Sequence, residues 1–101
     1  MFKMEIEKLE DKAEAASGLL AAMANPRRLM ILCNLLGREM NVTELGARVG
    51  LAQSALSQHL SRLRALELVA TRREGQQIYY RIASDDVRSI LETLYGIYCR
   101  D

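Results

Sequence analysis

The sequence predicts a small, mainly helical protein with one β-hairpin, in the order ααααββα, and three observations carry this prediction. Apolar residues recur at three- and four-residue steps between residues 53 and 67, which is the period of a helix with one buried face. A shorter helical segment just before it ends at a glycine, Gly50. Two β-prone runs flank a glycine turn at 74–76, as in a hairpin.

The first third of the chain predicts two helices separated by a cap. A first helix from about Met4 to Met23 has an apolar face made of Ile6, Leu9, Ala13, Ala16 and Leu20. Asn25 and Pro26 then supply the side-chain cap and first-turn proline of a second helix, which we expect to run to about Leu36. Its run LMILCNLL is apolar nearly all round, so it should pack on several sides. Residues 37–40 predict a loop.

The next two segments predict a pair of helices joined by a sharp turn. Asn41 and Glu44 stand at the spacing of a capping box, at the start of a short helix from Val42 to Val49. Gly50 follows, and glycine readily takes the left-handed conformation that such a turn needs. A longer helix then runs from Gln53 to Glu67. Two helices joined this tightly are typical of a helix-turn-helix, whose second member enters the major groove of DNA.

The longer helix has one apolar face and one face of small polar groups. Its apolar stripe consists of Leu56, Leu60, Leu63 and Leu66. Its opposite face carries Ser54, Ser57, Gln58, Ser61 and Arg62. Lysine and glutamate form helices better than serine does, so hydroxyl groups are an unusual choice for a face that only meets water. Such groups suit close contact with base edges, and we predict that this helix reads DNA.

A hairpin and a final helix complete the chain. The runs Leu68–Glu74 and Gln77–Ile82 predict two strands around the turn at 74–76, in the place of the wing of a winged helix-turn-helix. Ser84, followed by Asp85 and Asp86, caps the last helix. The apolar stripe of that helix comprises Val87, Ile90, Leu91, Leu94 and Tyr98.

Positive charge is concentrated where the DNA-reading elements are predicted. The whole chain has a formal net charge of +1, yet residues 48–81 contain six arginines, no lysine and two glutamates. Both ends of the chain carry more acidic than basic groups. Because arginine binds phosphate and guanine through paired hydrogen bonds, this distribution favours contact with nucleic acid over simple solubility.

The composition bounds the class of protein. A chain of 101 residues, half of them hydrophobic, can bury one core, and we expect a single domain over residues 1–101. There is no apolar stretch of membrane-spanning length, and the N-terminus is too charged for a secretory signal, so we expect a cytoplasmic protein. There is no Ser/His/Asp or Cys/His arrangement that would indicate an enzyme. A winged-helix interaction module that has lost DNA binding stays an alternative.

The terminal helices predict a homodimer. Each carries an apolar stripe that a core of this size has little surface to cover, and two copies would bury each other's stripes. A dimer also meets the geometry of helix-turn-helix proteins, which place two recognition helices about 34 Å apart, one turn of DNA. The alternative is that both helices fold back on their own core.

These segments resemble the ArsR/SmtB family of bacterial winged-helix regulators. The likeness covers nearly the whole chain, from LLAAMANPRRLMILCNLL through VTELGARVGLAQSALSQHLSRLRALELVATRREGQQIYYRI. Within the family, SALSQHLSRLR together with ILC in the second helix and YC near the end resembles the metal-independent HlyU/BigR-type branch. The resemblance implies a homodimer that binds an inverted repeat in promoter DNA on the bacterial nucleoid. It implies repression, or displacement of another repressor, at virulence or sulfur-response genes.

The resemblance also implies which residues contact DNA. On the recognition helix they are Gln53, Ser54, Ala55, Ser57, Gln58, His59 and Arg62, and on the wing they are Arg72, Arg73, Gln76 and Gln77. His59 flanks the buried face, so a boundary residue and a phosphate contact are both open. Ala52 departs from the serine often found at the cap, which weakens the helix start by about 1 kcal/mol unless Gln53 or Ser54 replaces it.

The family's metal sites are not matched. Metal-sensing members place a Cys-x-Cys pair where this chain has Asn41 and Thr43, or Asp and His ligands along the last helix, which here has no histidine. Zn²⁺ takes about four nitrogen or sulfur ligands, and His59 is the only histidine of the chain. We therefore expect no metal and no cofactor.

The two cysteines, Cys33 on the second helix and Cys99 at the end of the last, leave two interpretations. From the residues alone, Cys33 is a small buried hydrophobe and Cys99 a bystander. The resemblance implies instead a redox-sensing pair that reactive sulfur species or oxidants link within one subunit, which lowers the affinity for DNA. A direct disulfide needs Cα atoms within about 7 Å, whereas a bridge with additional sulfur atoms tolerates a wider gap.

Overall fold

Six helices and a three-stranded sheet make up residues 3–99, the part of the chain that the computed structural model describes. The helices are α1 (Ile6–Asp11), α2 (Ala13–Met23), α3 (Pro26–Asn34), α4 (Val42–Val49), α5 (Gln53–Ala65) and α6 (Asp85–Tyr98). The strands are β1 (Met40–Asn41), β2 (Val69–Glu74) and β3 (Gln77–Ile82), in the antiparallel order β1-β3-β2. The predicted fold class, mainly helical with a small hairpin, is confirmed.

Two predicted elements differ from the structure. The first helix is wrong as a single element, because it is interrupted at Lys12, where φ is −111° and ψ is 6°. No glycine or proline stands at the break to announce it. The predicted loop at 37–40 ends in β1, whose residues Met40 and Asn41 pair with Tyr80 and Tyr79 of β3. A strand of two residues is too short to produce a detectable alternation.

Side-chain caps start three of the helices as the sequence predicts. The Oδ1 atom of Asn25 accepts hydrogen bonds from two backbone N–H groups in the first turn of α3, at 2.9 and 3.1 Å. Asn41 and Glu44 form the reciprocal capping box of α4. Ser84 caps α6. Helix α5, by contrast, begins after Ala52 with no side-chain cap, so neither neighbouring polar residue replaces the missing serine.

One apolar core holds α5 in place. Leu56, Leu60 and Leu63 are at most 1% exposed and lie in the core. Burial of a leucine side chain contributes roughly 1.5–3 kcal/mol, so the stripe fixes which face of α5 points outward. Leu66, which the sequence placed in the same stripe, is 50% exposed. Helix α5 ends before it, and the chain reverses through Glu67, whose φ is +62°.

Two glycines allow α4 and α5 to pack closely, Gly46 within α4 and Gly50 at its end. Gly50 has φ +67° and ends α4 in the left-handed conformation, which confirms the prediction. Gly46 was not singled out by the sequence, yet a Cβ atom there would lie 3.3 Å from the carbonyl oxygen of Leu51 and 3.5 Å from the Cδ2 atom of Leu56. The two helices therefore cross closely where a side chain has little room.

Helix α3 is less enclosed than its composition predicts. Ile31 and Leu32 are fully buried, but Met30 is 51% exposed and Cys33 is exposed as well. The expectation that α3 packs on several sides within the subunit is therefore wrong. Its outer face carries a thiol and a thioether that the rest of the subunit leaves accessible.

The uncapped start of α5 gives a stability prediction. Ala52→Ser should raise the free energy of unfolding by about 1 kcal/mol, because the hydroxyl can accept from the free N–H groups of the first turn. Urea unfolding at one fixed protein concentration measures the change. Ser84→Ala, which removes an existing cap, is the matched control and should lower stability by a similar amount. A loss in the control without a gain in Ala52→Ser would contradict this explanation.

Candidate DNA-binding surface and thiol pair

Helix α5 presents its small polar side chains to solvent. Those on the side opposite the buried leucines are exposed, namely Gln53, Ser54, Ser57, Gln58, Ser61 and Arg62. Ala55 and His59 are half-buried along the edge of this face. Because serine and alanine are short, the helix backbone can approach a groove closely and leave the glutamine and arginine side chains to reach base edges and phosphates.

The strand register places the two wing arginines on opposite faces of the hairpin. Arg73 lies opposite Ile78 and is on the same face of β2 as the buried Val69, because alternate residues of a strand share a face. Arg72 lies opposite Tyr79 on the other face. Both were predicted to contact DNA, but their side chains start in opposite directions. Gln76 lies in the two-residue loop at the tip and is exposed.

Arg72 is held by two carboxylates. Its Nε and Nη2 atoms donate to Oε1 of Glu39 at 3.0 and 2.9 Å, and its Nη1 atom donates to Oε2 of Glu74 at 2.7 Å. The hydrogen bond from Arg72 has the largest effect on Glu39 and lowers the pKa of its carboxyl. Desolvation opposes it, and the charges of Arg72 and Arg81 lower the pKa further. Sequence reasoning missed Glu39, because it lies 33 residues from Arg72 in a segment predicted to be a loop.

Gln77 is also engaged within the protein. Its Oε1 atom accepts a hydrogen bond from the Nδ2 atom of Asn41 at 3.3 Å. Asn41 is the cap of α4, so this contact joins the wing to the start of the helix-turn-helix. The amide nitrogen of Gln77 keeps its donors for another partner.

Both cysteines are accessible. Cys33 on α3 and Cys99, just after α6, are free and exposed, so the interpretation of Cys33 as a buried hydrophobe is wrong. Partial desolvation raises the pKa of the Cys33 thiol, and the charge of Cys99 raises it further. The charge of Cys99 thus acts on the Cys33 thiol, although the two residues are far apart in the sequence.

The described part of the chain holds neither a cluster of metal-binding side chains nor a membrane-spanning helix. Between residues 3 and 99 no group of three or more His, Cys, Asp or Glu side chains could hold a metal ion. Over that same range, no helix has the length and apolar character needed to cross a bilayer.

A buried stripe behind an exposed polar helix, beside an arginine-bearing hairpin, defines a winged helix-turn-helix DNA-binding protein. The profile of the bacterial regulatory proteins of the arsR family matches residues 25–71. The nodulation protein NolR of Rhizobium meliloti is 59% identical over 95 residues, which span 94% of this chain and 77% of NolR. The transcriptional activator HlyU of Vibrio cholerae is 47% identical over 97 residues, which span 96% of this chain and 90% of HlyU.

A solved structure agrees with these sequence matches. The crystal structure of the transcriptional repressor BigR from Xylella fastidiosa superposes with a TM-score of 0.91 at 37% identity, and the match covers 97% of this chain and 100% of that one. The chain belongs to the ArsR family and is a DNA-binding transcriptional regulator of the HlyU type. Its relatives are regulators rather than enzymes, as the sequence predicts.

The exposed arginines give a prediction for DNA binding. Arg62→Ala and Arg73→Ala should each weaken binding, and each should reduce the slope of log affinity against log salt by about one unit per lost phosphate contact. Fluorescence anisotropy on a duplex over a range of salt concentrations measures both quantities. Arg27→Ala, an equal loss of charge outside α5 and the wing, is the control. Slopes identical to that control would remove both residues from the interface.

The raised pKa of Cys33 gives a pH prediction. A thiol reacts as the thiolate, so alkylation of Cys33 by iodoacetamide should set in at a higher pH than for an ordinary cysteine. In Cys99→Ser the onset should move to lower pH, because the charge contribution of Cys99 is lost, and it should stay raised by desolvation. Peptide mass spectrometry after timed alkylation follows Cys33 alone. An unchanged onset in Cys99→Ser would contradict the interaction between the thiols.

Proposed function

We propose that this regulator binds an inverted repeat in promoter DNA as a homodimer, and that a covalent link between Cys33 and Cys99 lowers its affinity for that DNA. The observation that carries the proposal is the pair of free, accessible thiols, Cys33 on α3 and Cys99 at the end of α6. Helix α3 belongs to the core that supports α4 and α5, whereas α6 is a terminal helix. A link between them joins the DNA-binding half to the end of the chain.

The terminal helices support the dimer. Helix α1 has six residues and no buried one, and a helix that short is not stable in water by itself. Large apolar side chains of the terminal helices lie exposed, and they are Ile6, Leu9, Leu20, Tyr95, Ile97 and Tyr98. Exposed apolar surface of this extent is typical of a protein–protein contact, and a second copy of the chain offers the same surface in return.

Dimerisation supplies what DNA recognition by this fold requires. One subunit offers one recognition helix, and two subunits related by a twofold axis present two helices to successive major grooves about 34 Å apart. An operator read in this way is an inverted repeat. Arg62 of α5 and Arg73 of the wing then contact phosphates at both half-sites, whereas the polar face of α5 reads the bases.

The switch follows from the chemistry of the thiols. When Cys33 and Cys99 form a disulfide, both lose their protons and together pass two electrons to an oxidant, such as a peroxide or a polysulfide. A thiolate that attacks a polysulfide takes up one sulfur atom and releases the shortened polysulfide. The second thiol then joins this persulfide, with loss of two protons and of two electrons to a further oxidant, in a longer bridge that spans a wider gap. Because the raised pKa keeps Cys33 protonated to higher pH, its thiol reacts more slowly near neutral pH than an ordinary cysteine.

The link changes DNA affinity through the dimer. It draws the end of α6 against α3, and α6 also carries part of the proposed dimer surface. A shift there alters the separation of the two recognition helices, so the two half-sites are no longer bound together. Promoter occupancy by the reduced dimer represses the target genes or displaces another repressor, since the relatives include both an activator and a repressor.

The dimer is tested by placing a charge in the apolar surface. Leu20→Lys should convert a dimer at micromolar concentration into a monomer, because a lysine would be buried without a partner. Sedimentation equilibrium measures the molar mass. Leu66→Lys is the matched control, since Leu66 is 50% exposed but lies after α5 rather than on a terminal helix. A wild-type monomer, or a dimer that Leu20→Lys leaves intact, would count against the proposal.

The switch is tested on a duplex selected from a random pool by the reduced protein. Treatment with polysulfide should lower the affinity by about 5- to 150-fold, the usual range for a coupling between two sites. Cys33→Ser and Cys99→Ser should bind like the reduced wild type and ignore the treatment. Electrophoretic mobility shift measures the affinities, and mass spectrometry reports the link. Equal affinity before and after linkage would remove the switch and leave the DNA-binding regulator.

A further inference from the structure

Arg72 is exposed, yet all three nitrogens of its guanidinium group have hydrogen-bond partners within the protein. Each of its three guanidinium nitrogens donates to a carboxylate, two of them to Glu39 and one to Glu74. Its guanidinium carbon also lies 4.8 Å from the centroid of the Tyr79 ring. Hydrogen bonds between charged groups with this forked geometry are stronger than neutral ones and fix direction as well as distance. The side chain is thus held on three sides.

The contact with Glu39 spans the whole sheet. Glu39 immediately precedes β1, and the strand order β1-β3-β2 places Arg72 on the strand farthest from it. The residues that follow Glu39 form β1 and then α4. The ion pair at 2.9 Å therefore ties the entrance of the helix-turn-helix to the outermost strand of the wing.

A second contact, made by β1, also holds the hairpin to the start of the helix-turn-helix. Asn41 donates to Gln77 at the start of β3, while its own side chain caps α4. Two side-chain links, one on each side of Met40, hold the hairpin to the segment that begins α4. The hairpin otherwise projects as a two-stranded ribbon, which is marginally stable in isolation.

We infer that Arg72 is a positioning residue, which with Glu39 holds the wing at a fixed angle to α4 and α5, and is not itself a phosphate contact. The inference rests on the proposed use of the wing in DNA binding. Two carboxylates around one guanidinium leave this face of the wing without surplus positive charge. Arg73, on the opposite face, donates to the carbonyl oxygen of Gly75 and has no carboxylate partner within residues 3–99. In this arrangement Arg73 contacts the DNA backbone, and Arg72 fixes the angle of the wing that carries Arg73.

The direction in which Glu39→Ala changes the DNA affinity distinguishes a positioning role of Arg72 from a phosphate contact. If Arg72 positions the wing, removing its partner should weaken binding about two- to fivefold, the fold-change that an exposed ion pair is worth. If Arg72 binds phosphate and Glu39 only neutralises it, the same change should strengthen binding. Glu67→Ala is the matched control, because it removes an equal charge without touching Arg72.

Arg72 variants complete the test by anisotropy at several salt concentrations. Arg72→Gln and Arg72→Lys should each weaken DNA binding. The loss should equal the difference in affinity between Glu39→Ala and its control Glu67→Ala. The slope of log affinity against log salt should stay unchanged. The double variant Glu39→Ala/Arg72→Gln should be no weaker than either single variant. The thermal midpoint should not move, since the contact is exposed.

Three results would overturn the inference. They are tighter binding by Glu39→Ala than by Glu67→Ala, a slope reduced by about one unit in Arg72→Gln but retained in Arg72→Lys, or no change in any variant. A wild-type protein that binds no duplex would instead refute the use of the wing in DNA binding, and the two failures are thus distinguishable.

Discussion

The burial of Leu56, Leu60 and Leu63 is the constraint on which the DNA-binding surface depends. These side chains are at most 1% exposed, and a helix turns once in about 3.6 residues, so the polar residues between them must point outward. The close crossing of α4 and α5 at Gly46 and the left-handed Gly50 set the angle at which α5 leaves the core. The capping box at Asn41 and Glu44 starts that pair of helices at a defined residue. The outward face of α5 is therefore a consequence of packing behind it.

The elements that sequence reasoning predicted are those with local signals. Helix α4 has the predicted bounds because its cap and its terminal glycine lie within ten residues of each other. The wing was predicted because its turn glycine stands between two β-prone runs. The end of α5 was placed two residues late, since Glu67 takes a positive φ that usually marks a glycine. No glycine was there to indicate it.

Contacts between distant residues could not be predicted in this way. The ion pair between Glu39 and Arg72 depends on how β1 joins the sheet, and a two-residue strand leaves no pattern in the sequence. The candidate DNA contacts on α5, by contrast, could be placed from the helical repeat of its apolar residues. They are exposed, apart from the half-buried Ala55 and His59. Arg72 and Arg73, both predicted to contact DNA, start on opposite faces of the hairpin. In a strand, adjacent side chains leave opposite faces.

The small size of the core links DNA recognition to the proposed regulation. A small core leaves the terminal helices uncovered, and the proposed partner for them is a second copy that also provides the second recognition helix. Cys33 lies on α3, which belongs to the core, and Cys99 directly follows α6, so the proposed bond between them would act on both the packing behind α5 and the dimer. The proposed coupling uses only elements that lie within residues 3–99.

Selection of duplexes from a random pool by the reduced protein, followed by guanine-methylation protection of the bound sequence, tests the central claim most directly. Two outward-facing recognition helices in a symmetric dimer predict an inverted repeat, with protected major-groove positions in two half-sites centred about 34 Å apart. A single protected half-site, or no enrichment of any sequence, would contradict it.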